Sequence, residues 1–126
     1  MSSGNTYFGQ ARTHYDGAMH AFSGGINYDA INAMNSAADY YGLAVTHYGL
    51  MADFAEGQGQ KAYAANLKSY AQNCMFAASS YMEAYKAYDA GDRNKGELRM
   101  NEASAFVAQA NEYQVQAEKL QPMAIL

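Results

Sequence analysis

The chain is poor in the residues that usually announce a chemistry. Among its 126 residues there is one cysteine, Cys74, so no intrachain disulfide can form. Tryptophan is absent, and the single proline, Pro122, stands near the end, so nothing before it breaks a helix by ring geometry. Only 16% of residues are charged, well below the usual quarter. The net charge is −4 and the eight Lys and Arg form no cluster, which argues against nucleic acid as a partner, because phosphate neutralisation needs grouped cations. No apolar run approaches the length of a bilayer span. Residues 1–5 lack the basic and apolar regions of a signal peptide, so the expected compartment is the cytoplasm; a filament subunit would instead be extracellular or at the cell surface.

What is abundant is alanine, with 12 tyrosines and eight methionines. Few residues are β-branched, and this composition favours helix over sheet. Apolar residues alternate steps of three and four in four runs. The first carries Phe8, Ala11, Tyr15, Ala18 and Phe22. The second carries Ile31, Met34, Ala38, Tyr41, Val45, Tyr48, Ala52 and Ala55. Tyr63, Leu67, Tyr70, Cys74, Ala77, Tyr81, Ala84 and Tyr88 form the third, and Ala103, Phe106, Ala110, Tyr113, Ala117 and Leu120 the fourth. Tyr70, Tyr81 and Phe106 are expected in the core. A period near 3.5 suits antiparallel helices with a slight supercoil, and small residues alternating with rings let helices approach while the rings fill the gaps.

Three glycine turns punctuate the runs, each with an aromatic three residues before the glycine: Phe22 to Gly25, Phe54 to Gly57 and Tyr88 to Gly91. Each glycine reads as the left-handed residue that stops a helix. Thr6, Asn27 and Asn94 are the expected N-caps, the last with Glu97 in a capping-box position. The predicted fold is all-α in a single domain, residues 1–126: antiparallel helical hairpins in an up-down four-helix arrangement over about 6–22, 28–56, 60–90 and 95–120. Residues 1–5 are expected to form a loose arm, and Gln121-Pro122 to end the last helix. The first helix is too short to cover its neighbours, which leaves part of an apolar seam open.

The spacing Gly-x4-Ala-x6-Ala with an aromatic before the glycine resembles the tetratricopeptide repeat. Gly25, Gly57 and Gly91 match it, as do Ala30 and Ala62, then Ala37 and Ala103, and Tyr28 fits the tyrosine after the loop. The family's tryptophan and terminal proline are missing, and Gly96 stands where the third copy would have alanine. The resemblance implies an alternative fold of three two-helix repeats, with breaks near Gly42 and near Asn73-Cys74. It also implies protein–protein interaction rather than catalysis.

No pattern picks out a catalytic, cofactor-binding or metal-binding residue. His14 and His20 lie six apart, on different helix faces, and neither pairs with a metal-ligating motif, nor does His47. The carboxylates are scattered, and the glycines lack the Lys-Ser or strand context of a phosphate loop. Cys74 reads as a small core residue. These features point to a non-enzymatic, self-assembling structural subunit, a filament or oligomer, with a small adaptor for a partner's peptide or helix as the alternative. The partner is then the chain itself or another protein. The expected interface residues are Tyr7, Phe8 and Tyr15 near one terminus and Met123, Ile125 and Leu126 at the other, joined head to tail.

Overall fold

Small residues recur at every seventh position in each helical run: Gly4, Ala11 and Ala18; Ala30, Ala37 and Ala44; Ala64, Ala71 and Ala78; Gly96, Ala103, Ala110 and Ala117. In the computed structural model, which describes the backbone of residues 2–125 and the side chains of residues 3–121, every one of them is buried. A repeat of seven holds a stripe on one side of a helix, and a stripe without bulk lets the neighbouring backbone come close. Four helices result, in up-down order: α1 Ser2–Ser23, α2 Asn27–Phe54, α3 Gln58–Asp89 and α4 Arg93–Ile125, with no strand among the described residues. Each packs on the next in sequence. Contact between α1 and α3 is slight, and no described α1 Cα lies within 8 Å of one in α4.

The stripes meet rings. A Cβ placed on Gly4 would stand 2.7 Å from a ring carbon of Tyr48 in α2, and one on Gly96 would stand 2.7 Å from a ring carbon of Tyr88 in α3. Stepping by sevens along the antiparallel register sets Ala11 level with Tyr41 and Ala18 with Met34. On the other pair of helices the same steps set Ala103 level with Tyr81, Ala110 with Cys74 and Ala117 with Leu67. Tyr41, Met34 and Tyr81 are buried in one cluster with Ala11, Ala18 and Ala103. Ala71 packs with Ala44 and Tyr48 across α2 and α3 in a second. The ring-filled core lies between the hairpins, where Phe22 stacks on Tyr85 at 4.3 Å, Tyr15 meets Tyr81 edge-on at 5.8 Å and Phe8 meets Tyr70 at 4.8 Å. Edge-on and offset contacts at such distances suit the ring quadrupoles.

Two turns are built alike. Gly25 and Gly91 have φ of 82° and 81°. Ile26 N–H donates to Ala21 and Gly25 N–H to Phe22, while Asp92 N–H donates to Ala87 and Gly91 N–H to Tyr88. Both sets are the paired bonds of a Schellman motif. They lie at the same end of the bundle, and Phe22 and Tyr88 touch there with centroids 5.6 Å apart. The middle turn differs. Ala55 is extended and ends α2, and Gly57, with φ −91°, is the N-cap of α3 rather than a left-handed stop, its N–H donating to Gln60 Oε1 at 3.4 Å.

The remaining caps also shift from the expected ones. Ile26 rather than Asn27 precedes α2, without a side-chain cap. Asp92 rather than Asn94 caps α4, accepting from Lys95 N–H at 3.1 Å. In both cases the residue after the positive-φ glycine is fixed by the preceding helix and becomes the start of the next. Residues 2–5 are helical, not a loose arm: Asn5 accepts a 2.6 Å hydrogen bond from the Tyr48 hydroxyl, and Gly4 lies under the Tyr48 ring. At the other terminus α4 continues through Pro122 to Ile125. Both α2 and α3 run unbroken through Gly42 and Asn73-Cys74, so the chain takes the four-helix form rather than that of three two-helix repeats.

The expected core is right in outline. Tyr81 is buried, whereas Tyr70 is half-buried, and Phe106 sits half-buried on the exposed Phe76. Tyr85, which the third seam omits, is fully buried. The turn geometry gives a contrast. Gly91→Val should lower stability by about 1–3 kcal/mol, because a β-branched residue is strained at positive φ. Gly57→Val, at negative φ, should cost far less; equal shifts in thermal melts of the two variants would overturn this account of the turns.

Candidate functional site

Among the described residues, the seam between α1 and α4 has no close backbone contact. There a cleft of about 130 Å³ opens onto the rings beneath. Its floor is Tyr41 of α2 with Tyr70, Cys74 and Ala77 of α3; Arg12, Tyr15 and Asp16 of α1 form one wall, and Val107, Ala110 and Asn111 of α4 the other. The ladder positions Tyr41 of the floor, level with Ala11, and Ala110 of the α4 wall, level with Cys74.

Burial dominates the titration of the floor. It pushes the Cys74 thiol up to about 12, with the Arg12 charge opposing the rise. Burial also raises Tyr41 and Tyr70; the Arg12 charge works against both shifts, and at Tyr70 a hydrogen bond from Arg12 adds to it. Tyr15 is raised by burial and by Tyr81 beside it. A thiol held neutral at physiological pH is not a ready nucleophile. Elsewhere, no group of three or more His, Cys, Asp or Glu among the described residues is placed to hold a metal ion. His14 stacks on Tyr40 at 5.3 Å and His47 leans on Tyr7 at 5.1 Å, so two of the three histidines serve packing.

The expected interface residues fall in two sets. Tyr7, Phe8 and Tyr15 turn inward: Tyr7 onto His47, Phe8 onto Tyr41 and Tyr70, Tyr15 onto Tyr41 and Tyr81. The side chains of Met123 and Ile125, and Leu126 entirely, lie outside the described residues. The up-down order sets the start of α1 and the end of α4 at the same end of the bundle, so the two sequence termini do not supply opposite ends of the domain. At that end Phe54 of α2 is 81% exposed. Sequence reasoning missed Phe54 because its place before a turn glycine copies that of Phe22 and Tyr88, which are covered. A second cleft, of about 240 Å³, lies here between Ser3 and Gly4 of α1 and His47, Leu50, Met51 and Phe54 of α2.

Compared with protein families, with curated proteins and with solved structures, the chain matches none.

The tyrosine shifts set a pH window. Burial pushes Tyr48 and Tyr85 up to about 12, against an unfolded value near 10. The folded state therefore holds these protons after the unfolded chain has released them. The stability this linkage carries is full below pH about 10 and is lost as pH rises through about 12. Helical circular dichroism should hold to about pH 10 and fall steeply by about pH 12. Tyr85→Phe should make the fall shallower; a loss of helix already complete near pH 9 would contradict the assignment.

Proposed function

We propose that this chain is a non-enzymatic structural subunit that associates with copies of itself at the end of the bundle carrying both termini. The observation that carries the reading is the apolar end of α2: Phe54 and Leu50 are exposed there, with Met51 half-buried between them. A large exposed ring beside other apolar side chains is the usual mark of an interface rather than of a solvated helix end. Low charge supports the same reading, since copies meet with little repulsion. Pairing of this patch with itself would be isologous, a two-fold contact of like ends; Ile26, Tyr28 and Leu98, exposed at the opposite end, would give a head-to-tail joint its second surface. An adaptor function is the second reading. It is supported by the resemblance to tetratricopeptide hairpins and by the same apolar end, which a partner's helix would cover instead.

Sedimentation over a range of concentrations is the test. The full chain should sediment above its 13.7 kDa monomer mass and resist added salt, since little of the contact is Coulombic. Burying one Phe side chain stabilises by about 1.5–3 kcal/mol, so Phe54→Ser should weaken self-association at least about tenfold. A monomer at every concentration would overturn the subunit reading, and one stoichiometric partner in a pull-down would then support the adaptor.

A further inference from the structure

The two hairpins share a pattern of small residues and rings. Shifting the numbering by sixty-six residues carries the buried Ala11, Ala18, Ala37 and Ala44 onto the buried Ala77, Ala84, Ala103 and Ala110; it also carries Tyr15 onto Tyr81, Met34 onto Met100 and Gly25 onto Gly91. Under this shift α1 replaces α3 and α2 replaces α4, so the seam between α1 and α4 is the counterpart of the tightly packed seam between α2 and α3. At the packed seam stand Ala71, Ala78, Val45 and Met82, buried or half-buried in the core clusters. Their counterparts are Asn5, which is bonded to Tyr48 of α2, and Arg12, Asn111 and Asp16 at the open seam. Three polar residues thus line the open seam at positions where the packed seam has apolar ones.

We infer that the α1–α4 cleft is a binding site for a small organic monoanion with a flat apolar body, of the class of an aromatic carboxylate. Size sets the body: a cavity of about 150 Å³ takes up benzene, and this one measures about 130 Å³. Tyr15, Tyr41 and Tyr70 offer ring faces and hydroxyls, the mix of apolar walls and few polar groups that ligand sites share. Charge sets the head group. Arg12, which hydrogen-bonds Tyr70, has no ion pair within 4.0 Å among the described residues, and its charge acts on Cys74, Tyr41 and Tyr70, with Asp16 opposing it more weakly at Tyr41 and Glu118 at Tyr70. A carboxylate at the mouth would take a forked hydrogen bond from Arg12. The inference does not rest on self-association, since the cleft opens on the side of the bundle and the patch around Phe54 is at its end.

Sodium benzoate is the probe, with benzylamine as a cation carrying the same ring. Amide shifts of the unmodified chain are followed by nuclear magnetic resonance. Benzoate should move the amides of residues 12–16 and 107–111 in a saturable way, and Arg12→Ala, which installs the alanine found at the counterpart position, should weaken its binding about tenfold or more. Benzylamine should leave these amides in place. Benzoate that moves neither segment, an Arg12→Ala chain that binds it equally well, or tighter binding of benzylamine would each overturn the assignment, the first and last without recourse to any variant.

Discussion

Everything in this molecule depends on one repeated contact, a glycine or alanine on one helix beneath a ring or a methionine on the next, seven residues apart. The contact sets the spacing of the helices, because a Cβ at Gly4 or Gly96 would already collide with Tyr48 or Tyr88. It also sets their straightness. A small-to-large pairing that repeats by sevens stays in register only while both helices keep the same slight supercoil, so Gly42 and Gly49 are carried through α2 without a break. A Cβ on Gly42 would stand 3.5 Å from Met75 and one on Gly49 3.6 Å from the Lys68 stem, ordinary contacts that do not require glycine there. Alanine contributes little burial of its own. The apolar area comes from the rings above it, which explains why the chain is rich in both alanine and tyrosine.

The sequence carried most of this fold openly. A period of 3.5 in four runs specifies helix number and antiparallel packing, and a glycine three residues after an aromatic marks both turns at one end. The misreadings have physical causes. Gly57 shares the aromatic spacing of Gly25 and Gly91, but Gln60 stands three residues on and accepts its N–H, so the glycine begins a helix instead of ending one. Asn27 and Asn94 look like better caps than Ile26 and Asp92, yet the Schellman bonds fix which residue follows the left-handed glycine and leave no freedom one or two places later. Tyr85 was missed because α3 packs against both α2 and α4. A helix with two partners buries a stripe wider than one seam, and Ala64, Ala71, Ala78 and Tyr85 form its second edge.

The cleft was not legible at all. Each of its residues has an ordinary reading by itself: Arg12 as a surface charge, Cys74 and Tyr70 as members of an apolar seam. What distinguishes Arg12 is its counterpart, Ala78, and that comparison needs the sixty-six-residue period, which the middle turn obscures by splitting it into 32 and 34. The exposed end of α2 was half legible. The shortness of α1 signals an uncovered stretch, but only the register set by Gly4 and Tyr48 shows that the stretch holds Met51 and Phe54.

The open seam is a consequence of polarity and not of length. Both α1 and α4 are long enough to pack along most of their extent, and their counterparts α3 and α2 do so. Closing the seam would draw Arg12 and Asp16 out of water, and an ionised group buried without full hydrogen bonding costs several kcal/mol. An alanine at position 12 removes that cost and leaves a surface like the one α3 presents to α2. Under the sixty-six-residue shift the packed seam has Ala78, Met82 and Val45 where the open seam has Arg12, Asp16 and Asn111. Substitutions spread over a solvated face would have left the packing alone. Arg12 and Asp16 of α1 and Asn111 of α4 line the cleft together, with Tyr15 and Tyr70 half-buried beside them.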